Sequence, residues 1–351
     1  MNCGGSRGPA ATVRCRECHT NLTAAPGARA VHCMQCNCGT RVPGSGSGRQ
    51  VVVVPHPRPN PGFGVCRSKK RAVLIGIKYT SRRAGELRGP INDVKCMKHL
   101  LTTRFGFPCE GIIVLTDEET NKCRLPTKEN IRMAMHWLVQ GCSNGDSLVF
   151  QFSGIGTQVP DEDGDERDCM DEAICPMDSF HQGPILDDEI NAAIVRPLVH
   201  GAKLHALVDA HHSATVLDLP YQCVTSKTTG CLNWVKQPTP NGACKGTSGG
   251  RAVLISGSSG GKKMPANTLS EPCATMGALT HSFIKALECE PHASYGRLLT
   301  SMRTIMRQGG PCSLPGPVGS SVRKVTNFSG VEAPCMSSSE NFGIDCEKLC
   351  I

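Results

Sequence analysis

Two stretches of this chain set side chains that can do chemistry at the ends of apolar runs. In Ala206-Leu207-Val208-Asp209-Ala210-His211-His212-Ser213 a carboxylate, two imidazoles and a hydroxyl follow the run. In Leu148-Val149-Phe150-Gln151-Phe152-Ser153-Gly154-Ile155-Gly156 the run breaks into small residues around a single isoleucine. In an open α/β sheet this is how a strand ends and a site-bearing loop begins. Nucleophilic attack on an amide needs a thiolate or an activated hydroxyl with a proton-handling base beside it. Ile155 has no proton to give or take, and His211 has no base behind it. Lys203-x-His205 and His211-His212 lack the ligand spacing of a metal site.

The chain carries 22 cysteines. Cys15-x-x-Cys18 and Cys33-x-x-Cys36 are separated by fourteen residues. That spacing aims four thiolates at one zinc ion, whose binding energy folds a unit too small to fold alone. Cys3 and Cys38 are candidate competitors as spare ligands, but the paired spacing favours the four named. A disulfide framework is the weaker reading, because the Gly-rich start Met1-Asn2-Cys3-Gly4-Gly5 is no secretory signal.

The densest charge is the block Asp161 to Glu172. Packed carboxylates are costly unless a cation neutralises them. Calcium, which takes several carboxylate oxygens in flexible geometry, is the natural candidate, although the EF-hand spacing is absent.

These groups must be positioned by a larger frame. Residues 1–14 read as disordered, 15–36 as the zinc unit, and 37–66 as a linker of Gly, Ser, Pro and Arg. From 67 to 351 the texture is that of one α/β domain. Strands are expected at 72–77, 111–115, 147–152, 203–208 and 251–255. Helices are expected at 92–105, 127–139 with Thr127 as N-cap, 188–195, 274–287 and 294–307. The stretch 217–249 reads as irregular. Fully apolar strands alternating with helices predict a mostly parallel sheet covered on both faces. Aromatics are only 4%, so the core is aliphatic.

With those residues in view, 71–351 resembles the metacaspases, the caspase-like cysteine proteases of plants, fungi and protists. There the first loop reads Ser-Gly-His-Gly and the second Asp-Ser-Cys-His-Ser-Gly. Ile155 stands at the histidine position and His211 at the cysteine position, so both catalytic positions are substituted. Leu87-Arg88-Gly89, Ile91-Asn92-Asp93 and Thr275-Met276-Gly277-Ala278 extend the resemblance. The cysteine unit is similar to the small zinc finger of plant cell-death regulators, through Leu22, Gly27-Ala28 and Val31-His32-Cys33. The layout is that of a plant type I metacaspase, with a large part to about 222 and a small part from about 250.

The resemblance implies a caspase-like α/β sandwich. It implies a pocket for a basic residue lined by Asp93 and Asp209, although Asp93 serves equally well as a helix cap. Lys262 and Lys263, where active relatives tend to be acidic, oppose a basic ligand. A calcium site implied by the family falls on Asp171, Asp187, Asp188 and Asp218. Active relatives cleave themselves after basic residues in a segment that here, at about 223–250, holds Lys227, Lys236 and Lys245.

Losing a catalytic unit costs on the order of 10⁶ in turnover. The expected function is therefore that of an inactive homologue. It would bind proteins, or regulate active relatives, in cell-death or stress signalling, with the finger as recruiting module. The competing reading is a calcium-dependent cysteine-type endopeptidase cleaving after Arg or Lys. The net charge of +8 is spread thinly, and the finger has few clustered basic residues, so nucleic acid is disfavoured as a partner. No apolar stretch approaches the ~18 residues of a membrane span. The expected location is cytoplasmic, extending to the nucleus.

Overall fold

The computed structural model describes residues 11–14, 21–24, 30–32, 39–41, 62–64, 66, 68–80, 86–161, 166, 168–238, 245–257, 276–308 and 333–351. The chain forms two units, Met1–His56 and Pro57–Ile351.

The first unit contains two antiparallel hairpins. β1 (Ala11–Arg14) pairs with β2 (Asn21–Ala24), and β3 (Ala30–His32) with β4 (Gly39–Arg41). Residues 11–14 are thus strand, where disorder was expected, and pairing reaches beyond 15–36 at both ends. Each cysteine pair falls in sequence between the arms of one hairpin. Cys15, Cys18, Cys33 and Cys36 themselves lie outside the described residues.

In the second unit β5 (Lys70–Gly76) is followed by α1 (Pro90–Thr103), β6 (Ile112–Thr116), α2 (Lys128–Val139) and β7 (Ser147–Ser153). Then come β8 (Gly156–Pro160), β9 (Met170–Ile174), α3 (Ser179–Gln182), β10 (Ile185–Leu186), α4 (Asp187–Ile190) and β11 (Lys203–Asp209). The chain closes with β12 (Tyr221–Thr225), β13 (Leu232–Lys236), β14 (Arg251–Ser256), α5 (Ala278–Cys289), α6 (Tyr295–Gln308) and β15 (Cys335–Ser338).

Eight strands form one sheet in the order β13-β12-β15-β14-β11-β7-β5-β6. The run from β14 to β6 is parallel, and β12, β13 and β15 add an antiparallel edge. β8, β9 and β10 make a small antiparallel sheet.

Both faces of the large sheet are covered. Ala72, Leu74 and Val149 join a core with α1, α5 and α6, while Val73, Ile75 and Phe150 join a core with α2 and residues 190–198. Burial on alternate sides turns these strands into unbroken apolar runs, which is why the sequence marks them so clearly. Thr127 caps α2 as expected, accepting from the Asn130 amide.

In the second unit one expectation is corrected and another is borne out with a refinement. The stretch 217–249, read as irregular, holds the β12–β13 hairpin. Its strands lie at a sheet edge with one face covered: Cys223 is buried, and Trp234 packs on Phe342, so their apolar residues alternate instead of running on. The helix expected over 188–195 begins as α4 and widens at Asn191–Val195 into a π turn. There the buried Asn191 amide reaches out to the carbonyls of Leu217 and Asp218. Such bulges accompany sites where a side chain must leave the helical ladder.

Candidate functional site

Strand register sets the floor of the site. Gly76, Ser153 and Asp209 stand side by side where β5, β7 and β11 end. A Cβ on Gly76 would come within 2.5 Å of the Pro90 carbonyl oxygen, so only glycine lets α1 start so close. That approach brings Asp93, in the first turn of α1, over the strand ends.

The two loops beyond β7 and β11 touch through their backbones. The Gly154 N–H donates to the Asp209 carbonyl at 3.2 Å. A Cβ on Gly156 would fall 1.8 Å from the His211 carbonyl oxygen. Ile155 is held on both sides: its N–H donates to Tyr79 Oη (3.0 Å), and its carbonyl accepts from the Cys175 N–H (2.9 Å). Tyr79 closes the bracket by donating to the Cys175 carbonyl at 2.5 Å. Tyr79 itself adopts a left-handed φ of 59°, fixed by amides 78 and 79 donating to the Asp117 carboxylate. Ile155 is thus rigidly placed, with its side chain packed against the α2-side core.

Two nucleophilic side chains further along the chain, Ser213 and Cys223, are not prepared for attack. Ser213 is buried and donates to the Ala210 carbonyl at 2.8 Å. Burial pushes the Cys223 thiol up to about 11, away from the thiolate form. His212 has a left-handed φ of 48°, and its Nδ1 is buried without a hydrogen-bond partner among the described residues.

Asp93 and Asp209 do come together, at the N-terminus of α5. Asp93 Oδ1 accepts from the Gly277 N–H at 2.8 Å. Asp209 Oδ2 accepts from the Thr280 N–H and hydroxyl at 3.0 and 3.2 Å. A Cβ on Gly277 would lie 2.1 Å from Asp209 Oδ2 and 2.8 Å from Asp93 Oδ2. Asp93 therefore does not cap its own helix; it receives an amide from another.

Burial drives the Asp93 carboxyl well above its ordinary range, the Asp209 charge adds to this, and the Gly277 amide opposes it. Burial likewise raises Asp209, against the Thr280 donors. Two such carboxyls titrate as a unit, and burial, more than the charge of one on the other, favours their protonated forms. Below them Gln151, fully buried, donates to the Ser153 hydroxyl at 2.7 Å and leaves its own Oε1 unpartnered. Chemically this is a buried pair of carboxyls met by amide and hydroxyl donors at the start of α5.

A second gathering of charge lies beside the small sheet. Oxygens of Glu166, Asp187 and Asp218 fall within 4.8 Å of one another. Asp171 is buried and near enough to raise Asp187; burial is the main cause, and together with Asp218 and Asp171 it pushes Asp187 up to about 10. Asp188 sits half-buried at the start of α4, outside the triad. Asp187 turns its oxygens to the amides of Glu172 (3.0 Å) and Asp188 (2.9 Å).

Lys245 reaches into the same place, 2.6 Å from Glu166 and paired with Asp218. Burial would lower its pKa, but those two carboxylates outweigh burial and hold it as ammonium. The oxygen donors suit calcium, yet two of the three converging carboxylates already face a cation. Glu166 and Lys245 were not legible as members of this cluster. The acidic block hinted at Glu166, whereas nothing local marks Lys245.

Metacaspase-1 of Arabidopsis thaliana is 44% identical over 315 residues, covering 86% of this chain and 84% of that protein. The chain belongs to the metacaspases. The family model described as metacaspase, peptidase C14 domain, matches residues 70–220, the run from β5 through the Asp209 loop. Metacaspase-2 of the same plant is 47% identical over 68% of this chain, which spans 57% of that relative. The solved structure of caspase-1 from Spodoptera frugiperda aligns with 78% of this chain at a TM-score of 0.37 and 11% identity.

Within this metacaspase, β5, β7 and β11 and the Asp93–Asp209 pair thus lie inside or directly beside the matched segment. Lys262 and Lys263, read as opposing a basic ligand, lie outside the described residues. Of the three lysines in the connecting segment, Lys227 and Lys236 are exposed, and Lys245 is buried.

Proposed function

We propose that this chain is a catalytically inactive metacaspase homologue that binds protein segments through a basic residue instead of cleaving them. One observation carries the reading. The loops after β7 and β11 are in backbone contact, and they present Ile155 and His211 where the family resemblance puts a proton-handling imidazole and a thiolate. An alkyl side chain locked by Tyr79 and Cys175 cannot move a proton. The buried pair Asp93 and Asp209 supports a retained pocket for Arg or Lys.

In this reading Cys15, Cys18, Cys33 and Cys36 bind a structural zinc ion, supported by the hairpin arms around each pair. The finger recruits protein partners, active metacaspases or death regulators among them, in cell-death or stress signalling. The chain acts in the cytoplasm or nucleus. No described helix is long and apolar enough to cross a membrane.

The test uses the purified full chain with Arg- and Lys-ending peptide substrates, with and without calcium. The expected result is binding without turnover. Robust turnover that a single substitution abolishes would overturn the reading in favour of a calcium-dependent endopeptidase cleaving after Arg or Lys.

A further inference from the structure

We propose that Lys245 is the resident cation of the acidic cluster, and that its ammonium and a divalent cation exclude one another there. The inference concerns a different place from the peptide pocket and stands apart from it. Lys245 is 7% exposed, and its Nζ pairs with Glu166 and Asp218, two of the three carboxylates whose oxygens converge. Calcium needs about 6–8 oxygens at contact distance, and any such set that includes Asp218 claims a carboxylate that Lys245 already holds. An ammonium bonded to that carboxylate cannot stay beside the ion, because like charges in a desolvated site repel strongly. Lysine suits this part: a compact point charge on a flexible stem can fill an ion's place and withdraw from it.

The backbone around Lys245 is docked as well. Its carbonyl accepts from the Asn191 amide, Ser248 Oγ donates to the Arg196 carbonyl at 2.7 Å, and the Gly250 N–H to the Leu198 carbonyl at 3.0 Å. Residues 245–250 therefore lie along the π turn and the residues that follow it, and Asn191 of that turn also holds Leu217 and Asp218. Occupancy of the cluster and exposure of Lys245 are one equilibrium. With the ammonium in place, Lys245 is withheld from any protease that recognises lysine, while Lys227 and Lys236 stay open.

The test treats the full chain with a lysine-specific endoprotease across a calcium titration, with cleavage after Lys227 and Lys236 as internal controls. Calcium binding is measured in parallel by calorimetry on the wild type and Lys245→Met. Without calcium, cleavage after Lys245 is expected to lag behind both controls. Lys245→Met is expected to bind calcium at least about tenfold more tightly, the factor by which a site open only about a tenth of the time weakens its ligand. Equal affinities would overturn the proposal, as would calcium uptake by the wild type with Lys245 still protected.

Should Lys245→Met fail to fold, Glu166→Gln decides. Removing one carboxylate must speed cleavage after Lys245 relative to the two controls. Continued protection of Lys245 in that variant would overturn the proposal.

Discussion

The end of the parallel sheet and the acidic cluster both crowd carboxylates out of water, and they resolve the conflict differently. At the sheet end, the partners of Asp93 and Asp209 among the described residues are neutral: the first amides of α5 and the hydroxyls of Thr280 and Ser153. In the cluster, Glu166 and Asp218 meet a full positive charge from their own chain. A pair satisfied by amides and hydroxyls can still accept a cation from outside. A pair satisfied by an ammonium accepts one only by exchange. In the function proposed above, the first place receives a visitor, whereas the second already has an occupant.

The largest expected effect breaks the second place. Lys245→Met leaves buried carboxylates uncompensated and should cost about 3–5 kcal/mol at neutral pH, read by urea denaturation. Next comes Gly277→Ala, whose methyl would stand 2.1 Å from Asp209 Oδ2. Pushing α5 off the carboxylate pair should cost about 1–3 kcal/mol and weaken binding of an Arg peptide.

Asp93→Asn should change stability least at acid pH and sharpen the comparison through pH. The Asp93 carboxyl is raised in the folded state, so its stabilising contribution is complete below the ordinary carboxylate range and is lost as pH rises through the folded value. The asparagine variant should therefore lose less stability from pH 4 to pH 8 than the wild type, followed by thermal melts across that range. Arg-peptide affinity of the wild type should rise with pH as the pair gives up its proton, and the variant should show a flatter profile.

Activity provides a separate probe of the sheet end. Ile155→His combined with His211→Cys restores both side-chain types to a rigid frame. Turnover on Arg or Lys peptides should exceed the wild type by about 10³-fold or more, out of the order of 10⁶ that losing such a unit costs. Persistent inactivity in a folded double variant would show that the pocket, as well as the chemistry, has been lost.

Much of the fold was legible because a strand buried on both faces has no polar alternation. The runs around Val73, Ile113, Phe150, Leu207 and Val253 declare themselves for that reason. The hairpin of β12 and β13 was not legible: at an edge with one covered face its apolar residues are spaced among polar ones, and they read as loop. Thr127 was readable as a cap because capping is local in sequence. Asp93 was not, because the amide it receives lies 184 residues away.

The sequence by itself determined the parallel sheet, the loops that end at Ile155 and His211, the paired cysteine spacing and the supply of carboxylates. These are properties of residue type and short spacing. Only the tertiary structure decided which carboxylates share a place and what neutralises them. Asp93 joins Asp209 through the start of α5, and Lys245 joins Glu166 and Asp218 across 79 and 27 residues. Charge balance in a desolvated site depends on distances of a few ångströms, and strand order, rather than sequence neighbourhood, sets those distances.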